Sequence, residues 1–269
     1  MRTYILYIVF LMCCISNATA QSVQQIEQDI LAHLQHIQYW RFEYAAEDTS
    51  FSGEVNQEDS IRNANKLLLD YLVNTGKNKP EMLKADLKMP ENSDFKIVNS
   101  DDRKFRIYCW DVQAGLQNHY YNVVAQYEAN NETGTSIINQ VPDNITDATP
   151  TGANYVSVYA VSGNGGKKYY MPFYSNLGVN VTKGIAAYAI DGGLNRVNLY
   201  RVGDKMMDAI EYHYDQSANY DFKKMKERYT IHIEKQKLYV PVMDGLQVTG
   251  KWLVYSWNGE QFVSDKNEN

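Results

Sequence analysis

Cysteine is scarce in this chain. There are three, and two of them, Cys13 and Cys14, fall within the first stretch of the sequence. Once that stretch is removed Cys109 stands alone, so an internal disulfide is excluded and a hydrophobic core must supply the stability. Cys109 alternates with Phe105 and Ile107 in KFRIYCW, which is the pattern of a small buried hydrophobe. No helix N-terminus or basic neighbour in the sequence favours a reactive thiolate.

Positive charge is also in deficit. Lys and Arg number 26 against 32 Asp and Glu, a formal net charge of -6. Nucleic acid and anionic lipid both call for a basic face, so neither is expected as the main partner. Long apolar runs are absent too. The one candidate, Tyr4–Ile15, is shorter than the roughly 20 residues of a spanning helix. It follows Arg2 and precedes Ala18-Thr19-Ala20, which is the order of a signal peptide with its cleavage site. Residues 1–20 are therefore expected to be a signal peptide, with no transmembrane segment left after cleavage. The address implied is periplasmic, outer-surface or secreted. A lipid-acceptor cysteine is not expected, because Met12 and Cys13 precede Cys14 where small residues belong.

Motifs of cofactor and metal chemistry are missing. There is no HExxH, EF-hand loop, nucleophile elbow or Cys-x-x-Cys. Ser162-Gly-Asn-Gly-Gly-Lys167 fails as a phosphate loop, since Val161 and Lys168 stand where Gly and Ser or Thr are needed. His33 and His36 lack a third ligand at helical spacing. No cofactor and no metal site is expected.

What the chain does have is tyrosine, 22 of them, with four tryptophans, and repeated hairpin grammar. Asn258-Gly259 closes KWLVYSW, Asn164-Gly165 follows YVSVYAVSG, Asp191-Gly192 follows GIAAYAI, and Asp244-Gly245 follows KLYVPVM. Such pairs between β-branched and aromatic runs favour type I′ turns, because both central residues need φ > 0. Before them the period is helical. Val23, Ile26, Ile30, Leu34, Ile37, Trp40 and Tyr44 form one apolar stripe over Ser22–Asp48. A second helix is expected from Asp59 to Asn74, with Gly76 as its C-terminal left-handed residue. A short turn of helix is expected over Glu81–Leu87. From Phe95 the period becomes that of strands, and Asn130–Gly152 reads as a long polar loop with a short strand at Ser136–Asn139. Pro241 places its strand at an edge or on a bulge. The expected fold is α+β: a helical N-terminal region over 21–94, its helical pair packed on an antiparallel β-meander or sandwich over 95–269. A small propeller-like array is the alternative.

Candidate site residues gather where Lys104–Trp110 and the strand after His119 pair as a hairpin. Trp110, Asp111, His119, Tyr120 and Tyr121 would crowd one end of it, a mixture suited to a sugar or peptide. Cross-strand aromatic packing would account for the same residues. Asp101, Asp102, Asp111 and Asp215 are candidates for a carboxylate pair of the glycosidase kind, which depends on a separation in space.

The segments FKIVNSDDRKFRIYCWD, NHYYNVVAQYE, DAIEYHYD, KLYVPVMDG and WLVYSWNGEQFV together resemble a group of uncharacterised exported proteins of Gram-negative bacteria. These carry an SDD-KFRIYSWD-like segment and end on a VYxWNGxxF-like hairpin. Cys109 departs from the small polar residue usual there. The resemblance implies export and an envelope address, and it carries no activity and no site residues. The expected function is a non-catalytic exported domain that binds a glycan or an envelope protein. A secreted glycoside-type hydrolase and an envelope inhibitor or immunity protein are the competing expectations.

Overall fold

The computed structural model describes residues 23–44, 56–90, 93–113, 119–143, 151–176, 181–215 and 230–264. The expected signal peptide lies outside them. The fold is α+β, with a helical layer first and three mainly antiparallel sheets after it.

Helix α1 spans residues 23–38 and runs on through a wide π-type turn, Tyr39–Glu43. Helix α2 spans Gln57–Asn78. Asn56 caps it, its side-chain oxygen accepting from the N–H groups of Glu58 (3.0 Å) and Asp59 (3.2 Å), which satisfies two of the orphan donors of the first turn. Ile26, Ile30 and Ile37 of α1 interlock with Ala64, Leu68, Leu69 and Leu72 of α2, as the apolar periodicity of both segments requires. The pair is tied at its two ends by Tyr71 Oη donating to Asp29 (3.0 Å) and Gln57 Nε2 donating to the Trp40 carbonyl (2.6 Å). A short α3, Glu81–Lys84, follows Pro80. Among the described residues no helix is long and apolar enough to cross a membrane.

The first sheet is a meander of β1 (Phe95–Asn99), β2 (Phe105–Asp111), β3 (Tyr121–Ala129) and β4 (Glu132–Asn139). β2 and β3 are buried on both faces. Phe95, Tyr108, Trp110 and Val124 meet the helices, while Phe105, Ile107, Cys109, Val123 and Ala125 pack toward the rest of the chain. Three polar side chains are buried at the helix–sheet boundary, and each is bonded. Asn65 of α2 donates to the carbonyls of Ile61 (2.9 Å) and Val112 (3.0 Å) and accepts from the Trp110 indole (2.9 Å). Gln126 donates to the Gly76 carbonyl and accepts from Tyr108 Oη, both at 2.8 Å. Arg106, 1% exposed, donates to the carbonyls of Met82 and Ala85 and to Asn99 Oδ1.

From the first sheet the chain enters a second one through β5 (Asn154–Ser162), β6 (Lys168–Asn176), β7 (Val181–Ala186), β8 (Tyr188–Ile190) and β9 (Leu194–Arg196). It then crosses to a third sheet with β10 (Tyr200–Val202) and β11 (Lys205–Met207), and returns to the second with β12 (Ala209–Tyr214). The third sheet is completed by β13 (His232–Glu234), β14 (Lys237–Asp244), β15 (Gln247–Trp257) and β16 (Phe262–Ser264). Its order is β11-β10-β16-β15-β14-β13, with β10 and β16 parallel. Met171, Ile185, Tyr200, Leu238, Tyr255 and Phe262 form the core between the second and third sheets. The described strands therefore make three unequal sheets rather than repeated blades.

Four expectations are corrected in detail. Gly76 lies inside α2 instead of ending it. A Cβ there would stand 2.8 Å from Thr135 Cγ2, so glycine is what lets the helix approach β4. The expected helix Glu81–Leu87 stops at Lys84, where Arg106 takes up the carbonyls of Met82 within it and Ala85 after it. The loop expected over 130–152 contains the full strand β4. Its turn, Asn130-Asn131, has both residues at positive φ (51° and 64°), a hairpin turn without the glycine that marks the others. The single strand expected over Gly184–Ile190 bends at Ala187, whose N–H bonds Asp208 and whose carbonyl accepts from Val197. Pro241 does sit at a bulge in β14.

Gly76→Ala tests the close approach. On an open helix the change would gain about 1 kcal/mol of helix propensity. Here the added methyl overpacks the junction by about 1–3 kcal/mol, so denaturant unfolding should show a net loss. Gly76→Ala combined with Thr135→Ser, which removes the clashing Cγ2, should recover it.

Candidate functional site

The hairpin end singled out in the sequence divides into an inside and an outside. Trp110 and Tyr120 are buried, at 1% and 3% exposure, and the Trp110 indole N–H is spent on Asn65. Tyr121 is also buried, and the rings of Trp110 and Tyr121 pack into separate clusters on opposite faces of the first sheet. Asp111 and His119 are brought together across the hairpin, Nδ1 against Oδ2. The other Asp111 oxygen accepts the Gln113 N–H at 2.9 Å, and the His119 ring stacks on Tyr121 with centroids 6.2 Å apart. Burial, and next the Asp111 charge, push the Tyr121 phenol well above its ordinary range. The arrangement clamps the strand ends and leaves His119 as the exposed member.

Cys109 lies beneath, its Sγ accepting from the Tyr155 N–H at 3.3 Å. Burial pushes its thiol up to about 12. Asp101 sits in the turn between β1 and β2, at the opposite end of β2 from Asp111, and Asp215 follows β12, its N–H donating to the Leu246 carbonyl at 3.2 Å.

A concave site lies elsewhere, where the ends of four hairpins converge. A groove of about 310 Å³ runs between Lys104, Glu128 and Asn130 of the first sheet, Lys167, Lys168 and Tyr170 of the β5–β6 hairpin, and Asp191 after β8. Gly166 and Gly192 add bare backbone with positive φ, and no heavy atom lies within 4 Å of where their Cβ atoms would be. The first sheet is latched to β6 at this point. Asp102 Oδ2 accepts from Lys168 Nζ (2.6 Å) and Tyr170 Oη (3.1 Å), while Oδ1 accepts from Ser100 Oγ (2.7 Å) and the Lys104 N–H (3.1 Å). Burial works to raise the Asp102 carboxyl, but the Lys168 ammonium and these donors outweigh it and hold it below the usual range. Glu128 is shared by two ammonium groups, Lys104 at 2.9 Å and Lys84 at 3.0 Å, and is held down by both. Lys104 is raised in turn by Glu128.

The groove thus offers fixed ammonium donors, ionised carboxylate acceptors, an amide and a phenol within one concave surface. Such a set matches a ligand rich in hydroxyls, each of which both donates and accepts. Among the described residues no group of three or more His, Cys, Asp or Glu is placed to hold a metal ion. Comparison with protein-family models, with curated proteins and with solved structures found no match to this chain.

Sequence reasoning missed the groove because its walls come from four separated segments. Each shows only a turn or a lysine on its own. The one available signal was the number of glycine and asparagine turns, which must gather at sheet ends.

Two measurements check this description. The Asp102 carboxyl titrates lower in the folded than in the unfolded chain, whose ordinary value is 3.8. The latch therefore adds stability above about pH 4 and loses it as pH falls through the folded value. Denaturant midpoints between pH 6 and pH 3 should fall less steeply for Asp102→Asn than for the wild type. Cys109 should react with a thiol reagent at neutral pH only as fast as the protein opens, and fully in denaturant.

Proposed function

We propose that this protein is an exported, non-catalytic module that binds a glycan in the cell envelope, and that the groove between Lys104, Glu128, Lys168 and Asp191 is where it does so. The observation that carries the reading is the groove itself: a concavity lined by ion-paired and amide side chains held on rigid hairpin ends. Export rests on the signal-peptide pattern at residues 1–20 and on the resemblance to exported bacterial proteins.

Binding is favoured over hydrolysis by the electrostatics. A glycosidase needs one carboxyl kept protonated near neutral pH by an upward shift. Asp102 and Glu128 are both held downward by lysines instead. They suit permanent hydrogen-bond acceptors, in contrast to a proton donor.

Calorimetric titration of residues 21–269 with a panel of neutral and acidic cell-surface oligosaccharides tests the reading. At least one should bind, and Lys104→Ala should weaken it about tenfold, the worth of one hydrogen bond to a charged group. The thermal midpoint should move by only about 2–3 °C, since an exposed ion pair contributes little. Release of reducing ends, or affinity indifferent to Lys104→Ala, would overturn the proposal.

A further inference from the structure

The groove's charges do not cancel among themselves. Lys104 and Lys84 share the single carboxylate of Glu128, and Lys168 answers Asp102. Two further groups line the same groove with no ion-pair partner among the described residues, Lys167 and Asp191. The Lys167 ammonium lies over the Tyr169 ring, 5.8 Å from its centroid. Three ammonium groups of Lys104, Lys167 and Lys168 therefore line the groove against two carboxylates, Glu128 and Asp191, in a chain whose formal charge is -6. The positive excess is on the side of Lys167 and the shared Glu128, and the uncommitted negative charge is at Asp191.

We infer that the saccharide held in the groove is acidic, a chain of sugars bearing carboxylate groups of the uronate kind. This rests on the groove being the glycan site. A carboxylate on the sugar ring supplies the counter-charge that Lys167 lacks, and neighbouring hydroxyls donate to Asp191. One residue of a uronate chain presents both. A neutral sugar answers only Asp191, and a small carboxylate without hydroxyls answers only Lys167. At Gly166 and Gly192, which line the same groove, no heavy atom lies within 4 Å of where a Cβ would be, so the backbone there is open to a ligand.

The probes are tetrasaccharides of galacturonate, mannuronate and glucuronate, each beside its methyl ester, which removes the charge and keeps the sugar. Citrate serves as a carboxylate without a sugar. At least one acid should bind about tenfold more tightly than its own ester. Raising sodium chloride from 0.05 to 0.5 M should weaken the acid and leave the ester unchanged, as screening of a single charge contact requires. Lys167→Ala, an exposed residue whose recorded contact is the Tyr169 ring, should bring acid and ester to within about threefold of each other. Asp191→Asn should weaken both alike.

Equal affinity for acids and esters overturns the inference and leaves the glycan reading standing. Preference for the acid that survives Lys167→Ala also overturns it, as does citrate binding as tightly as the best acid. If neither acids nor esters bind, the inference fails, and the neutral members of the panel above then decide the fate of the glycan reading separately.

Discussion

Arg106 carries its positive charge into the interior with no ion-pair partner among the described residues. Moving such a group out of water costs of order several kcal/mol unless its donors are all met. Here the carbonyls of Met82 and Ala85 and the side chain of Asn99 meet them. The carbonyls belong to α3 and to Ala85 just after it, at a helix end where backbone acceptors are unsatisfied and a cation is favoured. So α3, β1 and β2 hold one relative position or leave a charge bare. Asn65 and Gln126 impose the same condition on α2, and the helical layer can take only one register on the first sheet.

That register has a consequence at the other side of the sheet. Fixing β1 against β2 fixes the turn Ser100–Arg103 between them, and hence the place of Asp102. Asp102 then reaches Lys168 and Tyr170, which sets the first sheet against β6 and opens the groove between them. The far wall is braced from behind. Asn164 N–H donates to the Gly259 carbonyl at 2.7 Å, and the Trp257 indole donates to the Ser162 carbonyl at 3.2 Å. Two asparagine–glycine turns from different sheets therefore press on one another. Because the walls are fixed before any ligand arrives, little ordering remains to oppose binding.

Much of this fold was legible in the residues. The stripe of Ile26, Ile30 and Ile37 gave the first helix, the change of period at Phe95 gave the sheet, and the Asn-Gly and Asp-Gly pairs gave their hairpins. Only the glycine of each pair takes positive φ, however, so the expected type I′ turns are not formed. What stayed hidden depended on partners distant in sequence. Gly76 looks like a helix terminator until Thr135 stands beside it, and Asn130-Asn131 look like loop until β4 folds back on β3. Tyrosine explains itself in the same way. Tyr170, Tyr188 and Tyr200 are core residues whose hydroxyls or rings find partners across sheets. Of the residues around Trp110, Asp111 and His119 meet across the hairpin while Trp110 and Tyr121 pack on opposite faces; periodicity could not say which side would be covered by helices.

The parallel contact of β10 with β16 bears on how the molecule comes into being. Phe262 pairs beside Tyr200 and fills the centre of the third sheet, with β15 on its other flank. A nascent chain cannot close that sheet until residue 264 has cleared the ribosome, whereas the helical layer and first sheet can assemble from what has already emerged. Until then β10 and β15 lack the strand that joins them, and the two halves of the third sheet stay apart.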